Sequence, residues 1–324
     1  MIVEENAERD AHFSQLPQYL HRGDVLVLNE TRVIPARLIG QRIPTGGRAE
    51  LLLLHPAAEE RYRSDARRWV ALAKPARRLR AGARIAFDDD SEALVCRELD
   101  EGAREVEFRI GEPFEAFLER AGRLPLPPYV HLDSVQAQRG YQTVFARVPG
   151  SVAAPTASLH FTPELLARIQ AQGVEIVRVV LDVGLATFRP ITAQTIGEHP
   201  MHVEPYVIPE AAAVALNRAR HERRRVVAAG TTVVRALEAN LRERASIAAG
   251  QFTTDLFITP GFEFRVVDAM ITNFHLPQST LLVLVSAFAG RERILRAYQT
   301  AVERRYRFFS FGDAMLLTRT RHAA

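Results

Sequence analysis

Cysteine, lysine and tryptophan are nearly absent from this sequence: each occurs once, as Cys96, Lys74 and Trp69. A single thiol excludes an intramolecular disulfide and fits a reducing, cytoplasmic setting. Long apolar runs are missing too. The longest, residues 281–289, is far short of the roughly 20 residues that cross a bilayer, so no membrane-spanning helix is expected. The opening, MIVEENAERD, lacks the apolar core of a secretory signal. Internal repeats and low-complexity tracts are absent as well. What remains is ordinary globular material, 47% hydrophobic and 25% charged. Its 324 residues suffice for two domains, since single cores stop growing near ~250–300 residues.

The net charge is +4, and with one lysine among 42 basic residues nearly all of the positive charge is arginine. A coding bias toward arginine accounts for this, so arginine richness alone says little about a nucleic-acid partner. The same bias makes Lys74 stand out as a position that needs a compact ammonium rather than a planar fork. Residues 61–84 gather Arg61, Arg63, Arg67, Arg68, Lys74, Arg77, Arg78, Arg80 and Arg84 against the single acid Asp65, with Tyr62 and Trp69 interleaved. Such a segment is either a phosphate-tracking face with aromatic platforms or a solvated strand surface.

Two textures divide the chain. Residues 37–110 are short alternating or apolar runs, such as AELLLL, WVALA, RIAF, ALVC and EVEFRI, separated by turn signals at Gly46-Gly47, Gly82 and Gly102. This spacing predicts a small antiparallel barrel. Residues 113–123 read as a helix, and LPLPPY at 124–129 as a stiff extended linker. Thereafter strand and helix alternate. Thr162 caps a helix that begins at Pro163 and stops at Gly173. Strands are expected at 174–183, 225–229, 256–258 and 264–271, helices at 210–221 and 231–244, and one broken or two separate helices at 279–305. Alternation of this kind means an α/β fold, a mixed and largely parallel sheet flanked by helices. The buried run Val25-Leu26-Val27-Leu28 belongs to it, which places residues 1–36 and 124–324 in one discontinuous α/β domain and 37–123 in an inserted β-barrel.

Parallel sheets place their chemistry beyond the strands' carboxyl ends. There, Gly230-Thr231-Thr232 opens a helix with a tight turn, hydroxyls and free amides, and Arg235 follows one turn on. This suits a carboxylate or phosphate, although a capped helix without ligand has the same signature. HPMHVE at 199–204 matches no standard zinc spacing and suits acid–base work better than metal. In DAMITNFHLP at 268–277 a strand ends in Thr272, Asn273 and His275 before a proline-marked helix start. Several histidines at consecutive strand ends point to an active site.

The ordered series PGSVAAPTASLHF (149–161), DVGLATFRPI (182–191), HPMHVEP (199–205), AAGTTVVRALE (228–238), ITPGFEFRVVDAMITNFHLPQSTLLVLVSAFAG (258–290) and YRFFSFGDAML (306–316) resembles the S-adenosylmethionine:tRNA ribosyltransferase-isomerase family of queuosine biosynthesis. NETRVIPARL (29–38), LAKP (72–75), LPLPPY and YQTV (141–144) extend the likeness over nearly the whole chain. The resemblance implies an α/β domain carrying an inserted barrel. The implied reaction moves and isomerises the ribosyl group of S-adenosylmethionine onto 7-aminomethyl-7-deazaguanine (preQ1) at the tRNA wobble position. It needs no metal and no cofactor beyond that co-substrate, and the partners are tRNA and S-adenosylmethionine, with no membrane and a monomeric enzyme. The implied order is loss of a proton beside the sulfonium, loss of adenine, attack by the base's amine, and epoxide closure as methionine leaves. On this reading His160, His202, Glu204 and His275 carry proton transfers, and Asp268 orients one of them. Gly230, Thr231, Thr232, Arg235 and Asn273 hold S-adenosylmethionine, while Lys74, Arg77, Arg78 and Arg32 meet the tRNA.

Three departures from the family's pattern carry expectations of their own. The family opens with a further segment that precedes the position of Met1 here, which implies a start set downstream or a missing part of the fold. Ser158 and Ala186 stand where the family has glycine, and Asp182 where it has histidine. The glycine at 158 is expected to serve close approach or a positive φ. Two other functions fit such changes: a related ribosyl- or adenosyl-transferring enzyme with another acceptor, and a tRNA-binding paralogue without turnover.

Overall fold

The computed structural model of the chain describes residues 1–60, 65–88, 90–126, 140–182, 195–199, 201 and 203–319. They fall into two units, one of Met1–Arg32, Gly140–Val148 and Ala154–Ala324, the other of Val33–Arg139 and Pro149–Ala153.

In chain order, the first unit begins with two short strands, Ile2–Val3 (β1) and Glu8–Arg9 (β2), and a 3-10 stretch, Phe13–Tyr19, before the strand Val25–Asn29 (β3). The second unit follows with six strands, Arg37–Ile43 (β4), Arg48–Pro56 (β5), Arg68–Lys74 (β6), Arg84–Asp88 (β7), Ser91–Glu98 (β8) and Ala103–Arg109 (β9), and a helix, Phe114–Ala121 (α1). They run antiparallel in the order β4-β5-β6-β9-β8-β7, and β7 pairs back onto β4, which closes the barrel. Closure depends on Gly40, because a Cβ there would lie 2.5 Å from the Ala86 carbonyl oxygen across the seam. Leu38, Leu51, Leu53, Ile85 and Val106 fill the inside, and α1 adds Phe114 and Phe117 to a ring cluster with Phe108. Trp69 belongs to this core. Its ring stacks on Phe114 at 5.3 Å and its Nε1 donates to the Ala66 carbonyl at 2.9 Å, so it is no stacking platform for bases. Tyr62 lies outside the described residues.

Back in the first unit come the helix Pro163–Ala171 (α2), the strands Glu175–Leu181 (β10) and Glu204–Ile208 (β11), the helix Glu210–His221 (α3), the strand Val226–Ala229 (β12) and the helix Thr231–Glu243 (α4). The strands Gly250–Thr254 (β13) and Ala269–Asn273 (β14), the helices Thr280–Ala289 (α5) and Arg291–Glu303 (α6), and the strand Ala314–Thr318 (β15) complete it. The sheet order is β13-β11-β10-β3-β12-β14-β15-β1-β2. Its centre, β10-β3-β12-β14, is parallel, β1 is parallel to β15, and the other pairings are antiparallel. The sheet is therefore mixed, with the parallel pairing the sequence predicts held in the middle. Along β3, Val25 and Val27 join the core shared with α3, α4, α5 and α6, while Leu26 and Leu28 join the one shared with α2 and the 3-10 stretch. A strand covered on both faces reads as a continuous apolar run.

Local chemistry sets the ends. Thr162 Oγ1 accepts the Leu165 amide at 3.2 Å and Ser279 Oγ accepts that of Leu282 at 3.2 Å. Gly290, at φ +89°, separates α5 from α6, so residues 279–305 hold two helices. The strands expected at 256–258 and 264–271 lie instead at 250–254 and 269–273. For the second of these the reason is a carboxylate: buried Glu238 takes the amides of Arg265, Val266 and Val267 at 2.9, 3.0 and 3.0 Å, which removes them from any ladder. Among the described residues no helix is long and apolar enough to cross a membrane.

Candidate active site

Because β10, β3, β12 and β14 are parallel, their carboxyl ends share one edge of the sheet and deliver Asp182, Asn29-Glu30, Gly230-Thr231-Thr232 and Asn273-Phe274-His275 to it. Asn29 fastens two of these ends. Its Nδ2 donates to the Leu181 carbonyl at 3.1 Å, and its Oδ1 accepts the amides of Leu181 at 3.0 Å and Thr31 at 3.1 Å. Beside it, buried Glu30 lies 3.8 Å from Arg178 and 3.9 Å from Arg147. Both residues stand in the sequence at the end of an apolar run, the signal that would have marked them.

Gly230 turns β12 into α4 at φ +106°, where a side chain is strained, and its amide donates to the Ile271 carbonyl at 2.8 Å. No side chain caps α4, so its first amides, with the nearly buried Thr231 and Thr232, are an anion-ready terminus. Arg235 does not point to this terminus as a spare cation. The residue is 3% exposed, and its guanidinium bonds the buried Glu204 carboxylate and donates from Nε to the Leu256 carbonyl at 3.0 Å. The structure thus brings together Glu204, expected to move protons, and Arg235, expected to hold the co-substrate, as a buried ion pair.

At the end of β14, Asn273 Oδ1 accepts the Thr156 hydroxyl at 3.1 Å, while its buried Nδ2 has no partner among the described residues. Two residues on, His275 Nε2 lies 3.0 Å from Thr272 Oγ1, and the His275 amide donates to the Tyr298 hydroxyl at 2.7 Å. Burial lowers the His275 pKa to about 3, so the ring is neutral at physiological pH. Thr156 opens the 3-10 turn Thr156–Ser158, which packs on β14 and leads to His160. Ser158 is fully buried, its Oγ has no partner, and its φ is not in the positive region, so the position takes a side chain without backbone strain. His160 stacks on Phe13 with centroids 4.9 Å apart. Its Nε2 lacks a partner, and burial lowers its pKa against the opposing field of Asp313. It lines a cavity of about 630 Å³ walled also by Asp10, Phe13, Tyr306, Arg307 and Asp313. Asp10 and Asp313 are held there by Arg304 at 2.8 Å and Arg307 at 2.7 Å. Tyr306, Arg307 and Asp313 lie in the YRFFSFGDAML motif, but nothing in the sequence marks any of these wall residues as a site residue.

Asp268 differs from its expected orienting role. Its carboxylate accepts the Val226 amide at 3.0 Å and lies 3.4 Å from Arg319, at the amino ends of β12 and β14. The five residues of β14 separate it from the histidine edge by roughly 16 Å, at ~3.3 Å per residue. His202, Gly184 and Ala186 lie outside the described residues. Lys74, Arg77 and Arg78 are exposed on the barrel unit, and Arg32 is engaged by neighbouring groups. Among the described residues no three His, Cys, Asp or Glu side chains come together as metal ligands would.

A family profile described as queuosine biosynthesis protein matches residues 1–317. The chain belongs to the queuosine biosynthesis protein family. Members of this family similar to it include the S-adenosylmethionine:tRNA ribosyltransferase-isomerase of Moorella thermoacetica, 53% identical over 94% of this chain and 88% of that one. That of Symbiobacterium thermophilum is 52% identical over 94% of this chain and 87% of that one. The crystal structure of S-adenosylmethionine tRNA ribosyltransferase from Thermotoga maritima matches 98% of this chain and 90% of that one, at 35% identity and a TM-score of 0.50. The matched span includes the motifs that meet at the sheet edge: the loop of His160, the Gly230 turn and the end of β14.

Proposed function

We propose that this chain transfers and isomerises the ribosyl moiety of S-adenosylmethionine onto 7-aminomethyl-7-deazaguanine at the wobble position of tRNA, giving epoxyqueuosine-tRNA and releasing adenine and methionine. The observation that supports this most is the 53% identity, over 94% of the chain, with a relative named for that transfer. S-adenosylmethionine is the co-substrate, no metal or further cofactor takes part, and the chain acts as a cytoplasmic monomer.

His160 is the group best suited to the first proton transfer. Its Nε2 has no partner, and burial favours the neutral ring, so in the tautomer with its proton on Nδ1 the Nε2 lone pair is available to the carbon acid beside the sulfonium. His275 is a poorer base, because its Nε2 is taken up by Thr272 and its pKa is about 3. It suits a fixed hydrogen-bonding role. The uncapped start of α4, with Thr231 and Thr232, suits the carboxylate of the methionine part. Arg235, occupied by Glu204, then braces that helix from behind. Asn273 Nδ2 is a free donor beside the His160 loop and suits an acceptor on the nucleoside.

Adenine release from S-adenosylmethionine, measured with and without tRNA carrying the modified base, tests the reading. Release is expected only with that tRNA, and His160→Ala is expected to abolish it while tRNA affinity stays near wild type. Release that ignores the modified base overturns the reaction, and an active His160→Ala variant removes His160 from it.

A further inference from the structure

We propose that the loop between β6 and β7 is a preformed seat for the phosphate backbone of RNA, with Lys74, Arg77, Arg78 and Arg80 as its cations and buried Arg104 as the residue that holds its shape. This rests on the reading above that the chain acts on tRNA, and gives that partner a surface.

The first support is an imbalance of charge. Several exposed arginines elsewhere on the barrel are neutralised in place: Arg84 and Arg109 meet Glu92, Arg97 meets Glu105, and Arg120 meets Asp88 and Glu112, while Arg48 and Arg123 are exposed without a carboxylate partner among the described residues. Lys74, Arg77, Arg78 and Arg80 are all exposed, and among the described residues no carboxylate pairs with any of them. Lys74 stands opposite Glu50 in the strand register, but that carboxylate closes on Arg37 at 2.8 Å. Four like charges within one short loop repel one another, and an anion relieves that repulsion.

The second support is that the loop is held from beneath by a residue that cannot reach the ligand. Arg104, on β9 and 5% exposed, donates from Nε to the Leu79 carbonyl at 2.6 Å and from Nη2 to the Ala76 carbonyl at 2.8 Å. Its third bond goes to the Ala103 carbonyl at 2.7 Å, and Glu98 balances its charge at 3.3 Å. The 3-10 turn Ala76–Arg78 is closed by the Arg78 amide on the Pro75 carbonyl at 3.1 Å and by the Leu79 amide on the Ala76 carbonyl at 3.2 Å. Leu79 is fully buried and pins the loop, while the cations on either side of it face solvent. A planar fork bonded to two turn carbonyls fixes the loop in a way a lysine cannot. The cations are therefore presented with little conformational freedom left to lose on binding.

No aromatic side chain occurs in the loop, and Trp69 is in the core. Contact is then with phosphates rather than bases, so the seat contributes affinity and register without reading sequence.

Binding of tRNA to the full chain, measured across a range of salt, tests this. The double variant Arg77→Gln/Arg78→Gln is expected to weaken binding and to reduce the slope of log K against log salt by about two. The loss should be equal for tRNAs that differ in sequence. Arg104→Lys keeps the charge but not the fork, and is expected to reduce the slope as well while the barrel still melts cooperatively. Arg109→Gln, which leaves Glu92 with Arg84, is the control and should keep the wild-type slope. An unchanged slope in the Arg77/Arg78 variant overturns the seat, as does a loss confined to anionic phospholipid vesicles. An unchanged slope in Arg104→Lys overturns the positioning role, and if that variant does not fold, the exposed pair decides. A wild-type chain that releases no adenine with modified tRNA overturns the functional reading instead.

Discussion

Replacing Glu204 by leucine should destabilise the first unit severely, because it strands Arg235. That residue is 3% exposed and its charge is met by Glu204, with the Leu256 carbonyl as a neutral partner and Nη2 already unpartnered. An arginine cannot discharge itself by losing a proton, so the charge stays buried and uncompensated. Breaking a buried pair in this way costs about 3–5 kcal/mol. At ~2–4 °C per kcal/mol for a unit of this size, the thermal midpoint should fall by roughly 6–20 °C. Glu204→Gln keeps an acceptor and should lose less. The double variant Glu204→Leu/Arg235→Met removes both charges and should recover most of the loss, since apolar replacements of buried pairs are often neutral. Thermal melts of the three variants, with adenine release on each, are the assay. A Glu204→Leu chain melting within about 2 °C of wild type would refute the argument that this pair is desolvated and structural. A well-folded but inactive Glu204→Gln chain would show instead that the carboxylate acts on substrate.

Other outcomes follow from the same contacts. The His275 pKa is depressed on folding from about 6.5 to about 3, so the unfolded chain binds the extra proton and stability is lost as pH falls below about 6.5. At pH 4.5 that is about 2–3 kcal/mol, and His275→Gln should show a smaller drop in urea midpoint between pH 7 and 4.5; an identical drop would reject the shift. Ser158→Gly removes a buried hydroxyl without a partner from an unstrained turn, so stability should change by less than about 1 kcal/mol and adenine release should persist. Loss of release would show that the hydroxyl bonds the substrate. Asn29→Ala leaves the amides of Leu181 and Thr31 and the Leu181 carbonyl unpaired, and should cost about 3 kcal/mol by chemical denaturation, with a loss under 1 arguing against the fastening role.

Much of the fold is legible in the sequence because local rules and burial agree there. Thr162-Pro163, Gly290 and the four-residue apolar run of β3 each announce an element by a mechanism that needs no distant partner. The strand ending in Asn273 starts later than its apolar pattern because Glu238, far away in sequence, claims the amides that would have extended it. The candidate site was legible as a set of strand ends, and opaque in its pairings. Nothing in HPMHVE or AAGTTVVRALE says that Glu204 and Arg235 bond each other, since their meeting depends on β11 and α4 packing on the same sheet. The aspartate that opens the β14 motif sits beside His275 in the string yet a strand's length away in space, because an extended chain separates neighbours that a helix would stack.

The central strand has a history written into its neighbours. β3 pairs on one side with residues that begin at Glu175 and on the other with residues that begin at Val226. At ~5–20 residues per second, a ribosome takes about 8 to 30 s to lay down the roughly 150 residues separating β3 from its first partner. Throughout that interval both edges of Val25-Leu26-Val27-Leu28 lack their mates, while the intervening barrel can complete itself from consecutive strands. The nascent chain therefore carries a sticky, unsatisfied ribbon ahead of a finished barrel, and its yield in the cell will depend on what shelters that ribbon until synthesis catches up.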